Sequence, residues 1–202
     1  MTESFADAPT LWDLVERRAA ATPDLVLLID QAGNTLTCAE FRDRAERAAA
    51  GFAALGVTHG TRVTWELPNR FETVIASFAL ARLGAIQNPI LHFYRHKEVG
   101  YAIRATDAEL VLVPGEWNGF DFAAMVDELI ADLPHKPQVV DVFAALPDGD
   151  PATLTEALAA LRANRDERVR LRQLGREAVL TRHTWQALVQ RVLAHGESAR
   201  AA

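Results

Sequence analysis

The sequence of 202 residues predicts a layered α/β fold with a mostly parallel sheet, followed by an all-helical tail. Short β-rich runs alternate with helical patterns up to about residue 142, and no strand signal follows residue 150. The stretch 67–89 has the order of a βαβ unit: a strand end, a Pro-Asn turn, an apolar helix, a glycine stop and a second strand. We therefore divide the sequence into an α/β region, residues 1–150, and a helical tail, residues 151–202.

The first predicted elements are a helix and a β-hairpin. Thr10 is a suitable N-cap for a helix over 11–21. The runs 25–30 and 35–37 are rich in β-forming residues and flank a Gly-Asn turn, which predicts a hairpin. The apolar stripe expected for the helix consists of Leu11, Leu14 and Val15.

A long second helix is predicted after the hairpin. Thr37 and Glu40 have the spacing of a capping box, and Gly56 is placed to end the helix. The face expected to be buried carries Phe41, Ala45, Ala48, Phe52 and Leu55.

The βαβ unit begins with a strand in which apolar residues alternate at positions 63, 65 and 67. Gly84 follows the last periodic residue of the helix, and Pro89 prevents helical continuation beyond the next strand. The helix has apolar residues at positions i, i+3, i+4 and i+7, namely Phe71, Val74, Ile75 and Phe78.

The same alternation continues with a helix over 96–106, a strand over 110–113, a helix over 122–133 and a strand over 139–142. The tail has only helical patterns. Asp150 is placed as an N-cap before Pro151, and the tail's apolar positions and later helical patterns are Leu154, Leu158, Leu161, 165–180 and 184–193.

Composition limits the possible functions. The net charge of −6 and the pI near 5.5 argue against binding to a nucleic-acid backbone, which needs clustered Lys and Arg. The charge is uneven, with −10 over residues 1–150 and +4 over residues 151–202. No apolar run approaches the ~20 residues of a membrane span. Cys38 is the only cysteine and the first residues lack a secretory pattern, so a cytoplasmic location is expected.

Several blocks in the same order resemble the adenylate-forming (AMP-binding) superfamily of ligases. These are residues 36–41, 56–63 and 67–89. Further blocks at 87–101, 113–125 and 146–154 are similar to medium-chain and alicyclic acyl-CoA ligases, enzymes of fatty acid metabolism. The resemblance covers about residues 10–154 and depends on the whole set of blocks, since each block alone is weak.

The resemblance implies the N-terminal subdomain of such a ligase and a reaction in two steps. A carboxylate attacks the α-phosphate of ATP to form an acyl-adenylate, and the thiol of CoA then displaces AMP. The intact family uses ATP, Mg and CoA. Its Ser/Thr- and Gly-rich phosphate loop and its C-terminal lysine have no counterpart in this sequence. We therefore predict no catalytic, cofactor-binding or metal-binding residue, no bound cofactor, and no activity of this truncated chain alone.

The tail has a different and fainter resemblance. Residues 154–193 are similar to the closing helices of retaining glycosyltransferases, with an Asp-Pro-Ala start and a His-Thr-Trp before the last helix. Two explanations stay open: foreign sequence joined to a ligase reading frame, or an ordinary three-helix end of similar composition.

Two polar motifs have a possible metal-binding interpretation. His92 and His96 are four residues apart, but no Glu completes an H-E-x-x-H motif, and His96 fits the start of a helix better. Asp148 and Asp150 flank Gly149, but the further acidic ligands of a calcium loop are missing, which favours a turn before an N-cap.

Other residues also have alternative interpretations. Cys38 could be reactive, but it has no cationic neighbour in sequence and fits a small, half-buried position better. Trp117 and Phe120 could line a pocket, or could anchor a long connection in the core. The tail arginines could bind an anionic partner, but interspersed acidic residues favour a solvated face. These are Arg162, Arg165, Arg168, Arg170, Arg172 and Arg176.

Three functional hypotheses follow. The first is a fragment of an AMP-forming acyl-CoA ligase, inactive alone. The second is a non-catalytic module that docks on another chain, such as a full-length ligase. The third is a glycosyltransferase remnant. A ligase fragment should leave apolar surface uncovered, so we also expect self-association.

Overall fold

The computed structural model describes residues 8–154 and residue 158. The predicted helices at 165–180 and 184–193, the tail arginines and most of the glycosyltransferase-like segment lie outside the described residues.

The first four elements match the predicted order. They are helix α1, Leu11–Ala21, strands β1, Val26–Ile29, and β2, Thr35–Thr37, and helix α2, Cys38–Ala54. Strands β1 and β2 form an antiparallel hairpin. The capping box of α2 is present, because the Glu40 amide donates to Thr37 Oγ1 and the Thr37 amide donates to the Glu40 carboxylate.

The remaining elements form a four-stranded parallel sheet, its helical connections and a separate antiparallel hairpin of β6 and β7. They are β3, Arg62–Trp65; α3, Phe71–Leu83; β4, Ile86–Pro89; α4, His96–Thr106; β5, Leu110–Val113; β6, Glu116–Trp117; β7, Phe120–Asp121; α5, Phe122–Ile130; and β8, Gln138–Asp141. The sheet has the order β4-β3-β5-β8, and every neighbouring pair is parallel. The predicted βαβ unit is therefore confirmed, and Gly84 ends α3 in the left-handed conformation with φ of 71°.

Helices cover this sheet on both faces. In β5, Leu110 and Leu112 pack in a core with α1, α2 and α3, whereas Val111 and Val113 pack in a second core with α4 and α5. All four residues of β5 are buried, which is the pattern of a strand inside a three-layer α/β domain.

A short segment closes the first core. Gly149 donates its amide to the Arg47 carbonyl at 3.0 Å, and Asp148 forms an ion pair with Arg47. A Cβ on Gly51 would lie 2.3 Å from the Asp148 backbone nitrogen, so α2 needs glycine there. The predicted N-cap is confirmed, because Asp150 accepts from the Ala152 amide before the 3₁₀ turn Pro151–Thr153.

Several local predictions were wrong. Leu11 and Leu14 are exposed, because α1 instead buries Trp12, Val15 and Ala19. Leu55 is 39% exposed, because α2 ends one residue earlier at Ala54.

Two later elements also differ from the prediction. Helix α5 ends at Ile130 rather than at residue 133, where the following Pro134 disfavours the helical conformation. The loop between Trp117 and Phe120 is a second hairpin, in which Asn118 and Gly119 have φ of 51° and 74°. An Asn-Gly pair with both residues left-handed is typical of a tight hairpin turn.

Candidate functional site

The candidate site lies where the strand order of the parallel sheet reverses. The chain passes from β3 to β4 on one side and then crosses to β5 on the other side of β3. Ligands of open α/β sheets bind at the carboxyl ends of the strands beside such a reversal. The residues that directly follow β3, β4, β5 and β8 are therefore candidates for a functional site.

Glu66 directly follows β3 at this reversal. Its amide donates to the Leu112 carbonyl of β5 at 3.0 Å, which fixes the residue between the two strands. The side chain is 1% exposed, and neither carboxyl oxygen has a hydrogen-bond partner within the part of the chain that the structure describes. Burial raises the pKa of Glu66 to about 8, although the positive charge of Arg95 acts in the opposite direction. Glu66 is therefore mainly a neutral acid at pH 7, able to donate a hydrogen bond.

Sequence reasoning missed Glu66. The alternation of Val63, Trp65 and Leu67 predicted one apolar face for this strand, which left Thr64 and Glu66 on a polar face. In the structure both faces are covered, and Thr64 is fully buried beside Val63. The signal was available, because a strand between helical connections on both faces buries both sets of side chains.

Neighbouring polar side chains of the sheet do have partners. Thr64 Oγ1 lies 3.1 Å from Thr106 Oγ1 and accepts from Asn88 Nδ2 at 3.3 Å. The indole of Trp65 donates to Gln87 Oε1, also at 3.1 Å. Thr64 and Trp65 thus have hydrogen-bond partners, whereas the buried carboxyl of Glu66 has none among the described residues. A buried polar group without a partner does not stabilise the fold, which makes Glu66 a candidate functional residue.

Arg95 lies next to Glu66 but is held by other groups. Residue 95 is the N-cap of α4, and its guanidinium lies 4.2 Å from the ring centroid of Phe120 and 5.1 Å from that of Phe122. It donates to the carbonyls of His92 and Tyr94 at 3.2 and 2.5 Å. These contacts place the cation on the β6–β7 hairpin and at the start of α4.

Arg70 is held in the same way at the start of α3. Its guanidinium lies 5.5 Å from the ring centroid of Trp117 and 5.1 Å from that of Phe143, and it pairs with Glu72 at 3.4 Å. The rings of Trp117 and Phe143 meet edge to face, with centroids 5.5 Å apart. Trp117 and Phe120 therefore make the contacts of anchors, which agrees with the second interpretation given for them.

His92 and His96 have different contacts in the structure. His96 begins α4 as predicted, with Nε2 at 3.2 Å from Glu128 Oε2. The ring of His92 instead packs edge to face on Phe93, with centroids 6.0 Å apart. Over the described residues, no group of three or more His, Cys, Asp or Glu side chains is arranged to hold a metal ion.

The other motifs have structural roles. Cys38 is the first residue of α2 and is 1% exposed, so it is more deeply buried than the half-buried position predicted. Asp148 pairs with Arg47, which lowers the pKa of this carboxyl, and Asp150 caps the following turn. Within residues 8–154, no helix is long and apolar enough to cross a membrane.

The charged groups at the carboxyl edge are held by contacts within the chain. Phosphoryl chemistry needs donors and cations directed at a developing negative charge. At the carboxyl edge Arg70 and Arg95 stack on aromatic rings, while Glu66 is a buried acid. Among the described residues, the carboxyl edge thus holds a buried acid and two arginines that stack on aromatic rings.

The comparisons with known proteins agree on one family. A family model described as AMP-binding enzyme matches residues 15–188. The salicyl-AMP ligase / salicyl-S-ArCP synthetase of Mycobacterium tuberculosis is 36% identical over 146 residues, which are 70% of this chain and 25% of that protein. A long-chain-fatty-acid–CoA ligase of Mycobacterium bovis is 33% identical over 155 residues, again 70% of this chain and 25% of the relative.

A solved structure has the same fold. The N-terminal domain of FACL13 from Mycobacterium tuberculosis superposes with a TM-score of 0.58 at 23% identity, over 70% of this chain and 37% of that one. The chain spans about a quarter of the length of the curated relatives it matches. The family match extends to residue 188, past the predicted change near residue 150, and the origin of the tail stays a prediction. The predicted resemblance is thereby confirmed, and the chain belongs to the AMP-binding family of adenylate-forming ligases.

Proposed function

We propose that this chain is the front part of an ATP-dependent, AMP-forming acyl-CoA ligase, and that its 202 residues alone do not activate a carboxylic acid. The family match and the ligase names of its relatives support the first half of the proposal. One observation carries the second half. The two cations at the carboxyl edge, Arg70 and Arg95, stack on aromatic rings, and Arg70 pairs with Glu72 while Arg95 donates to the carbonyls of His92 and Tyr94.

The lysines of the sequence support the same conclusion. The chain has two, Lys97 and Lys136, and neither follows a glycine-rich segment of the kind that cradles phosphates. Lys97 lies in the first turn of α4, and Lys136 lies in the connection before β8. A positioned cation and several backbone donors normally stabilise the charge of phosphoryl transfer, and losing even one such donor costs about 10²–10³ in rate.

Release of pyrophosphate tests the proposal. The purified chain is incubated with ATP, Mg²⁺ and, in turn, a medium-chain, an alicyclic and an aromatic carboxylic acid. We expect no acid-dependent pyrophosphate above the rate without acid. A full-length salicyl-AMP ligase, assayed in parallel with salicylate, is the positive control. Acid-dependent release that is lost in Arg70→Gln or Arg95→Gln, but kept in the exposed variant Arg104→Gln, would overturn the proposal.

A second candidate function is a non-catalytic module that docks on a full-length ligase. The observation in its favour is the exposed apolar surface of the first hairpin, where Leu25 is 48%, Val26 44% and Ile29 68% exposed. Apolar patches of this kind mark interaction surfaces. Sedimentation of the chain alone and mixed with a full-length relative distinguishes a monomer, a self-associated form and a mixed complex. The docking function requires a mixed complex that Ile29→Lys abolishes.

A further inference from the structure

Strand β1 has one edge that no other described strand covers. β1 and β2 form a separate two-stranded sheet, so the side of β1 that faces away from β2 pairs with no strand within residues 8–154. The Asp30 amide donates to the Asn34 carbonyl inside the hairpin, and successive amides of a strand point to opposite sides, so the Ile29 amide faces the free edge. Such an edge is a template for a strand of another chain.

The side chains of β1 are apolar on both faces of this small sheet. Leu28 packs against the first core, while Leu27 and Ile29 are 42% and 68% exposed. Apolar residues on both faces are typical of a strand that is covered on both sides. Of the devices that protect natural edge strands, β1 has a register shift between Val26 and Leu28, but it contains neither Lys nor Pro. The free edge is therefore apolar and carries no charge within the strand.

The exposed apolar surface extends from β1 onto α1. Leu14 and Leu27 line the same apolar cavity, of about 370 Å³, between the hairpin and the helices of the first core. We call the exposed apolar residues of α1 and the hairpin the hairpin patch: Leu11, Leu14, Leu25, Val26, Leu27 and Ile29. Their exposed parts amount to roughly 500 Å² in one chain, so two chains would bury roughly 1,000 Å², which is the lower limit of a specific interface.

We propose that the hairpin patch binds a second copy of this chain, with the β1 strands of the two copies antiparallel and edge to edge. The two hairpins then form one four-stranded sheet in the order β2-β1-β1-β2. A contact that uses the same surface on both copies has two-fold symmetry and closes at a dimer. The inference goes beyond the proposed function, since the dimer needs neither ATP nor the carboxyl edge of the parallel sheet.

The chemistry of the free edge favours a second copy as the partner. The partner must supply an extended strand with apolar side chains on both faces, and β1 itself has the sequence VLLI. The outer strands of the parallel sheet, β4 and β8, have the sequences IQNP and QVVD and are polar or interrupted by proline. Among the described edge strands, β1 is thus the one that matches its own requirements.

The charge of the chain opposes this contact and predicts its salt dependence. Each copy has a formal net charge of −6, and Asp24 and Asp30 flank β1 at its two ends. In an antiparallel pair, Asp24 of one copy lies near Asp30 of the other. Salt screens this repulsion, because the Debye length falls from about 10 Å at 0.1 M to about 3 Å at 1 M. We therefore expect a weak dimer that becomes tighter when NaCl is added.

Sedimentation equilibrium of the full 202-residue chain, over a hundredfold range of concentration, tests the proposal. We expect monomer and dimer without larger species. Ile29→Lys should weaken the dimer at least about tenfold, because it places a charge on the free edge of each copy. Ile86→Lys is the matched control: Ile86 is 59% exposed on the edge strand β4, outside the hairpin patch, so its dimer should be as tight as that of the wild type.

Amide hydrogen exchange of the wild-type chain tests the strand pairing itself and does not depend on the folding of a variant. The Ile29 amide should exchange more slowly as the chain concentration rises, because it gains a partner in the dimer. The amide of Gln87, on the edge strand β4, should exchange at the same rate at every concentration.

Three outcomes would overturn the inference. The first is a monomer at every concentration, and if that monomer forms a mixed complex with a full-length ligase, the hairpin patch serves the docking function instead. The second is an open series of larger species, since the contact would then not close. The third is a dimer in which exchange of the Ile29 amide does not change and Ile29→Lys has no effect. The pyrophosphate assay is read separately, so the dimer and the proposed function can fail independently.

Discussion

Glu66→Gln should remove a large part of the pH dependence of stability. The pKa of this buried carboxyl is raised from 4.5 to about 8, so folding takes up a proton at any pH between these values. The free energy of unfolding is therefore greatest below pH 4.5, falls as the pH rises toward 8, and becomes level above it. Glutamine has nearly the same shape but no proton to lose, so its stability lacks this slope.

The size of the effect follows from the two pKa values. A difference of one pH unit changes the free energy of unfolding by about 1.4 kcal/mol while the folded carboxyl is protonated and the unfolded one is not. Between pH 5 and pH 8 the full effect is about 3.5 kcal/mol, and relaxation of the protein around the ionised carboxylate, which raises the effective dielectric constant, lowers it to about 2 kcal/mol. For a chain of this size, that corresponds to a melting temperature about 4–8 °C lower at pH 8.

Urea denaturation at pH 5, 6, 7 and 8, followed by circular dichroism, measures this slope. The useful quantity is the difference between the wild-type chain and Glu66→Gln, since histidines and other common groups cancel. The variant should become more stable than the wild type as the pH rises. Glu116→Gln removes an exposed carboxylate on the β6 strand and should keep the wild-type slope. Parallel curves for the wild type and Glu66→Gln would refute the reasoning.

Three further predictions concern the first core. Gly51→Ala should lower the free energy of unfolding by about 2 kcal/mol and speed proteolysis near Asp148, because the new Cβ would meet the backbone of that segment. The control Arg47→Gln removes only an exposed ion pair and should leave the urea midpoint nearly unchanged. Thr37→Ala should cost about 1 kcal/mol in the same urea titration, through loss of the capping box of α2. Phe41→Ala should cost about 3–5 kcal/mol, measured by calorimetric melting, because the ring is 1% exposed in the core.

The sequence allowed the layered architecture to be predicted because its local signals agree with one another. Thr37 and Glu40, Gly84, and the apolar run of β5 each mark a helix start, a helix end or a buried strand by a mechanism that involves few neighbours. The order of strands and helices followed from these marks. The parallel pairing then followed from the helical connection between β3 and β4.

The side-chain environments could not be predicted in the same way, because they depend on distant contacts. Leu14 was expected to be buried, but Trp12 takes the inward position in α1, where the guanidinium of Arg82 from α3 lies 4.4 Å from its ring centroid. Glu66 likewise depends on helices from two separate parts of the chain that cover the two faces of β3. The second hairpin, in contrast, has a local signal, because its Asn-Gly turn alone is enough to predict it.

The pH dependence that Glu66 gives to stability also shows whether a partner or ligand binds against this residue. A partner or ligand that places a hydrogen-bond donor or a cation against this carboxyl would favour its ionised form and lower its pKa. The slope of stability between pH 5 and pH 8 would then decrease in the complex. Binding at the exposed residues of the first hairpin would leave that slope unchanged, since that surface does not include Glu66. The pH dependence of the bound chain therefore identifies which surface is occupied, independently of whether any acid is activated.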